Sequence, residues 1–325
     1  MDLFAWTLVA AALALALLVI ARFALNRAIY PGPDPWRRNA TPADEGFAES
    51  EIVELVASAD GGRTRAWFLP QPARTRATRP TIVHFHGNGG SLQAALWLAR
   101  QLFERADANV LLFEYRGYSN DDRVSAVGSP SERALTADAT AAVEWLLARA
   151  DIDHARIFLH GHSLGGAIAI QVARIFRTRI AGVMLENTFT SMLDAAIAVG
   201  ASFSSHVALL RPIVRALLPS RWPSLTSVGE IHAPILFLSG LRDAVIPPAQ
   251  MRALYDGATA SRLRRLIEFE AGTHDETSFA SFADNRFKSG WRLDANQRYF
   301  DGVCAFIADA SAPSNAPRSS KGRGP

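Results

Sequence analysis

The sequence predicts an α/β fold with a mostly parallel central sheet flanked by helices. Three observations carry this expectation. From residue 81 onward, short apolar runs alternate with longer helix-forming segments, the rhythm of strand–helix repeats. Residues 156–175 compress the pattern into a strand, a sharp turn and a helix. The chain also has 325 residues, 49% of them hydrophobic and 20% charged, which is ample apolar material for one large core.

In chain order, residues 3–21 are almost wholly apolar, with Thr7 the only polar interruption. At about 1.5 Å per residue such a helix just spans a hydrocarbon layer roughly 30 Å thick. A cleaved leader would carry basic residues before the apolar run. Here only Met1 and Asp2 precede it, while Arg22, Arg27, Arg37 and Arg38 follow. Residues 1–25 are therefore expected to be a single-pass membrane anchor. The basic flank places the rest of the chain on the cytoplasmic side. Pro31, Pro33, Pro35 and Pro42 mark residues 26–50 as a linker.

Residues 51–309 are expected to form the globular domain. Residues 51–57 alternate apolar and polar, Ala59-Asp60-Gly61-Gly62 is a turn, and 64–69 resume the strand pattern, which predicts an antiparallel hairpin at the sheet edge. Residues 70–80 are rich in Pro and Arg and read as a loop. Strands are expected near 81–86, 109–114, 156–160, 180–186, 235–239 and 264–269. Helices are expected near 91–105, 131–149, 164–176, 247–256 and 291–308. Residues 187–230, interrupted by Gly200, Pro212 and Pro219, break the rhythm and are expected as a helical insertion capping the sheet. Residues 310–325, rich in Ser, Pro, Arg and Gly, read as a disordered tail.

The net charge is +3 and the pI about 9.3. The arginine clusters at 74, 76 and 79 and at 262, 264 and 265 accompany no nucleic-acid motif and read as solvated surface, so nucleic acid is not an expected partner. Cys304 stands alone, which excludes an internal disulfide, and its apolar surroundings place it in the core.

The chemistry centres on Gly161-His162-Ser163-Leu164-Gly165. A serine on a strained strand-to-helix turn is a nucleophile elbow; an ordinary turn is the bland alternative. A serine hydroxyl needs a base, and the base needs an acid to fix its tautomer. Strand ends are where such groups gather in open α/β sheets. Among the later histidines, His274 directly follows the last predicted strand, whereas His206 lies in the insertion and His232 precedes a strand. Asp243 follows the strand at 235–239 and is the expected acid. Glu186 is its main rival, with Asp194 and Asp275 behind it. The oxyanion needs two backbone N–H donors. Leu164, at a helix start, suits one, and Asn88 in His86-Gly87-Asn88-Gly89-Gly90 suits the other, with Gly89 as its neighbour choice. His84 and His86 read as partners in strand and loop hydrogen bonds. His162 reads as an elbow neighbour whose side chain points away from Ser163.

With these residues assembled, the chain resembles the α/β-hydrolase fold serine hydrolases, and within them the membrane-anchored, single-domain branch. The motifs are His86-Gly87-Asn88-Gly89, Tyr115-Arg116-Gly117-Tyr118, Pro130-Ser131-Glu132, Gly161–Gly166, Glu186-Asn187-Thr188-Phe189-Thr190-Ser191, Leu238–Asp243 with Ile246-Pro247-Pro248, and Gly272-Thr273-His274-Asp275. They cover about residues 50–308. The resemblance implies Ser163 as nucleophile, His274 as base and Asp243 as acid. Ser119–Arg123 departs from the family's short Gly/Ser segment and is expected to border the pocket.

The implied activity is cleavage of carboxylic esters or thioesters, on small-molecule or acyl-lipid substrates near the membrane. A serine peptidase, a haloperoxidase-like enzyme and a catalytically silent membrane-tethered binding protein are the alternatives. No metal is expected, because the histidines and carboxylates lack close ligand spacing. No cofactor is expected either, since Gly161–Gly166 lacks the Lys-Ser/Thr of a phosphate loop.

Overall fold

The computed structural model describes residues 3–32, 40–47, 49–118, 129–275 and 290–312. Helix α1 (Leu3–Ile29) is followed by strands β1 (Glu51–Val56) and β2 (Arg63–Leu69), short helix α2 (Ala73–Arg76), β3 (Thr81–Phe85), α3 (Leu92–Arg105) and β4 (Asn109–Phe113). Then come α4 (Glu132–Leu147), β5 (Ile157–His162), α5 (Leu164–Ile175) and β6 (Gly182–Glu186). The insertion contributes α6 (Met192–Ala201), a 3-10 turn (Ser205–Leu210), α7 (Arg211–Leu217) and α8 (Ser224–Val228). The chain continues through β7 (Ile235–Gly240), α9 (Pro248–Gly257), β8 (Arg264–Phe269) and α10 (Gly290–Ser311).

The eight strands form one sheet in the order β1-β2-β4-β3-β5-β6-β7-β8. β1 and β2 pair antiparallel at one edge, β2 joins β4 antiparallel, and every later pairing is parallel. The central strands are buried on both faces, which is why their sequences are continuous apolar runs. Alternation along each strand divides the core in two. Val83, Leu111, Leu159 and Leu185 pack with α4 and α5, while Ile82, Leu112, Phe158 and Met184 pack with α3 and α10. Ser91 and Ser131 cap α3 and α4 by accepting from Ala94 and Ala134 N–H.

Three local readings change. The Pro/Arg-rich stretch at 70–80 holds α2, because Pro72 stands at its N-cap and its carbonyl accepts from Thr75 and Arg76 N–H. Cys304 is half-buried and donates to the Arg105 carbonyl at 3.3 Å, at the margin of the core. Helix α10 runs to Ser311, so the expected tail begins later than 310; residues 313–325 lie outside the described residues, as do 119–123.

Helix α1 is long and apolar enough to cross a membrane: within Trp6–Ile29 an 18-residue window has mean hydropathy 2.6, and none of that window is buried. It continues past the expected boundary at 25, and its last turns dock on the domain. Arg22 donates to the Ala216 carbonyl (3.3 Å), Asn26 to that of Pro130 (3.2 Å), and buried Tyr30 donates to Ser220 Oγ (2.8 Å) while accepting from Trp222 Nε1 (2.8 Å). The first part of the expected linker is thus a packed joint.

Candidate active site

Ser163 stands between β5 and α5 at φ 52°, ψ −119°, a left-handed conformation that a non-glycine residue adopts only under constraint. Its neighbours explain how the turn closes. A Cβ on Gly161 would sit 2.4 Å from the Gly165 carbonyl, and one on Gly165 would sit 1.9 Å from the Phe85 carbonyl. Only glycine lets α5 start this close to β5 and β3. Ser163 N–H donates to the Glu186 carbonyl (2.9 Å), and Thr188 Oγ1 donates to the Ser163 carbonyl (2.7 Å), which pins the turn from β6.

The structure brings Ser163, His274 and Asp243 together from three strand ends. His274 Nε2 lies 3.0 Å from Ser163 Oγ, and Nδ1 lies 2.7 Å from Asp243 Oδ2. The carboxylate accepts at Nδ1–H, so the facing Nε2 lone pair is free to accept from the serine hydroxyl. Asp243 is held by Val245 and Ile246 N–H, each 2.8 Å from Oδ1. Burial works against a charge on His274. The Asp243 hydrogen bond and the charges of Asp243, Asp275 and Glu186 outweigh it, and the imidazole sits above its ordinary pKa.

The rival residues are placed differently. Glu186 borders the cavity, is buried and accepts from Tyr299 O–H at 2.8 Å, Asp275 borders it beside His274, His206 and His232 are exposed, and Asp194 pairs with Arg211 on the insertion. His84 and His160 face each other beneath the site, Nδ1 to Nδ1 at 2.9 Å, and His86 Nδ1 donates to the Gly87 carbonyl, as expected of strand and loop partners. His162 has contacts that its reading as an elbow neighbour did not include. Its ring packs 5.0 Å from the His274 ring, and Nε2 donates to the His274 carbonyl at 2.8 Å. Burial holds it below the ordinary imidazole pKa.

Asn187 is a residue to which sequence reasoning gave no role. Its Nδ2 donates to the Thr273 (3.0 Å) and His274 (2.8 Å) carbonyls, and its Oδ1 accepts from Gly240 N–H (2.9 Å). One amide thus ties the His274 loop to the end of β7. The only local signal was a small polar residue at a strand end, held at φ 45°.

Asn88 and Leu164 both border the cavity above Ser163. Leu164 opens α5, with its N–H at the positive end of the helix. Tyr115 O–H donates to the His86 carbonyl (2.9 Å) and Tyr118 O–H to Asn88 Oδ1, so the Tyr-Arg-Gly-Tyr motif buttresses the loop after β3. The cavity has a volume of about 900 Å³ and apolar walls from Leu25 and Ile29 of α1, Phe189, and Met192 and Val199 of α6. Donor atoms of His162, His274 and Asp275 lie within 4.8 Å of one another, the closest approach to a metal cluster among the described residues. Both ring nitrogens of His274 are already engaged by Asp243 and Ser163, so an ion there would compete with those bonds.

A profile of the alpha/beta hydrolase family matches residues 82–313. The chain belongs to the alpha/beta hydrolase family. Among its relatives in that family, the alpha/beta hydrolase domain-containing protein WAV2 of Arabidopsis thaliana is 36% identical over 73% of this chain and 76% of its own length. Protein bem46 of Schizosaccharomyces pombe is 32% identical over 77% and 79%. An uncharacterized membrane protein of Saccharomyces cerevisiae, YNL320W, is 29% identical over 78% and 83%. In structure the hydrolase is similar to the Pyrococcus furiosus esterase Pf2001, with TM-score 0.65 and 18% identity over 86% of this chain and all of that one. That likeness supports the shared fold, with its mostly parallel sheet between helical layers.

Proposed function

We propose that this hydrolase cleaves carboxylic ester or thioester bonds through an acyl-enzyme on Ser163, with His274 as base and Asp243 as orienting acid. The observation that carries the reading is the unbroken relay Ser163 Oγ–His274 Nε2 (3.0 Å) and His274 Nδ1–Asp243 Oδ2 (2.7 Å) at the floor of an apolar cavity.

In the first half-reaction Ser163 Oγ attacks the carbonyl carbon and its proton passes to His274 Nε2. The oxyanion of the tetrahedral intermediate is received by the N–H groups of Leu164 and Asn88. The C–O or C–S bond then breaks, His274 returns the proton to the leaving group, and the acyl group stays on Ser163. In the second half a water gives its proton to His274 as it attacks the acyl carbon; the bond from that carbon to Ser163 Oγ then breaks, His274 returns the proton to Oγ, and the carboxylic acid departs.

Anchoring by α1 and a cytoplasmic catalytic domain complete the proposal. The support is the apolar helix followed by Arg22 and Arg27, and a relative named as a membrane protein. The reading of the rest is residues 51–309 as the hydrolase domain.

The test is covalent labelling by a fluorophosphonate together with hydrolysis of short p-nitrophenyl esters. Wild-type protein is expected to label and turn over, and Ser163→Ala to lose both. Hydrolysis at the wild-type rate by Ser163→Ala would exclude the mechanism.

A further inference from the structure

We propose that the exposed apolar face of the insertion, from α6 through α7, seats in the bilayer surface beside α1, so that the cavity over Ser163 takes acyl chains directly from that leaflet. Its substrate half rests on the hydrolase reading above; its surface half stands on the geometry of the insertion.

The insertion carries Val199, Phe203, Leu209, Leu210 and Ile213 on its outside, with Phe203 86% and Leu209 77% exposed. Single exposed apolar residues are ordinary, but five within residues 199–213 form a cluster that asks for a cover. Its position says what covers it. Helix α7 lies against α1, where Arg22 donates to the Ala216 carbonyl. Arg22 is also where the apolar run of α1 ends. From there Leu25 is only about 5 Å further along the axis, and the headgroup layer outside the hydrocarbon is about 5–8 Å deep. The near end of the cavity wall, at Leu25, is thus at headgroup depth when the apolar run spans the membrane, and Ala28 and Ile29 follow about 5–6 Å further out. Exposed Arg27 and Arg215 stand on the same two helices, where long cationic side chains reach lipid phosphates.

The patch and the cavity are continuous. Val199 is exposed at the patch and lines the cavity, alongside Met192 and Ala195 of the same helix. A lipid tail would pass from the leaflet along α6 to the site without crossing water. The favoured substrate class is then an acylated amphiphile whose ester or thioester carbonyl lies at the hydrocarbon–headgroup boundary.

The experiment uses the full chain reconstituted in vesicles, in a Cys304→Ser background. An environment-sensitive fluorophore is placed at Phe203→Cys, at Leu209→Cys and, as control, at Glu104→Cys. Glu104 is exposed near the far end of α3, about 9 Å along the helix beyond Leu98, the last residue of α3 that borders the cavity. Brominated phospholipid is expected to quench the labels at 203 and 209 at least fivefold more than the label at 104. Equal quenching at all three positions would overturn the membrane-facing surface, as would unquenched labels at 203 and 209 in a protein that dimerises through the patch.

The second arm compares Phe203→Asp/Leu209→Asp with wild type. Hydrolysis of a long-chain ester embedded in vesicles is expected to fall at least tenfold, and that of a short soluble ester to change less than twofold. Parallel loss on both substrates, or loss on neither, would overturn the leaflet route. If wild-type protein cleaved neither ester, the hydrolase reading would fall, and the quenching pattern would still decide the surface on its own.

Discussion

Asn88, in the loop after β3, donates its side-chain amide to the backbone carbonyl of Ile29 at 2.6 Å. The bond joins the last turn of α1 to the loop proposed to hold the oxyanion. Ile29 has no helical partner left for that carbonyl, since the chain leaves the helix there. The same Asn88 accepts from Tyr118 through Oδ1, so the loop is gripped on two sides.

Truncation of Asn88 is expected to loosen the loop while leaving its backbone N–H in place. A hydrogen bond of this kind contributes about 1 kcal/mol, so Asn88→Ala should lower kcat/KM about fivefold to tenfold, with the melting temperature within a few degrees of wild type. Steady-state kinetics on a short ester with a parallel thermal melt would check it. Unchanged kcat/KM would remove the side-chain grip from the account of the site.

With His274 as the proposed base, the pH dependence follows from its imidazole. A base must be neutral to accept the serine proton. A pKa raised above the ordinary value of about 6.5 means that kcat/KM is lost as the pH falls through that raised value. Asp243→Asn removes the hydrogen bond and charge that raise it. The acid limb should therefore move to lower pH, while kcat falls about 10³–10⁴-fold because the tautomer is no longer fixed. Profiles of kcat/KM across about pH 5–9 would test both effects. An acid limb that stayed in place in Asp243→Asn would show that another group controls it.

Much of this arrangement was legible in the sequence because it depends on local pattern. Strands β3 to β7 are apolar runs since both faces are covered, and the elbow needs glycine at fixed spacing around Ser163. Asp243 and His274 were found because they end strands. What escaped reading depends on distant partners. Asn187 donates to carbonyls 86 and 87 residues away, and no local signature encodes that. Leu25 and Ile29 are apolar whatever they face, so the share of α1 in the pocket was invisible. His162 was read from typical elbow geometry, whereas here its ring fills the space that Gly87 leaves open; a Cβ on Gly87 would lie 2.7 Å from His162 Nδ1.

Arg116 offers a stability test away from the chemistry. It is buried and donates to Asp138 through Nε (3.0 and 3.1 Å) and to Asp60 through Nη1 (2.8 Å) and Nη2 (3.0 Å). Burial pushes the Asp138 carboxyl up even with Arg116 beside it. Arg116→Met would leave that carboxylate buried without its cation, at a cost of about 3–5 kcal/mol near neutral pH. For a domain of this size that is about 10 °C or more in melting temperature. The sign with pH is specific. A folded-state carboxyl pKa above the unfolded value loses stability as pH rises, so the deficit of Arg116→Met should be larger at about pH 8 than at about pH 5. A deficit that did not grow with pH would indicate lost packing in place of a stranded charge.

The sharpest steric prediction contrasts two glycines flanking the site. A Cβ at Gly165 would fall 1.9 Å from the Phe85 carbonyl oxygen, and both partners are backbone of packed elements, so neither can swing aside. Gly165→Ala must therefore push α5 away from β3, which moves Ser163 relative to His274. A displacement of even ~1 Å at a reacting centre costs about a hundredfold in rate. Gly165→Ala is expected to fold poorly or, where it folds, to lose at least that factor. Gly89 lies in the neighbouring loop, and a Cβ there would meet nothing within 4 Å. Its φ is not in the left-handed range, so Gly89→Ala should keep wild-type stability and activity within about twofold. Soluble yield, thermal melting and fluorophosphonate labelling rate measured on both variants would separate the two. Normal labelling by Gly165→Ala would show that the elbow has slack, and impairment of Gly89→Ala would show that substrate occupies the space beside that loop.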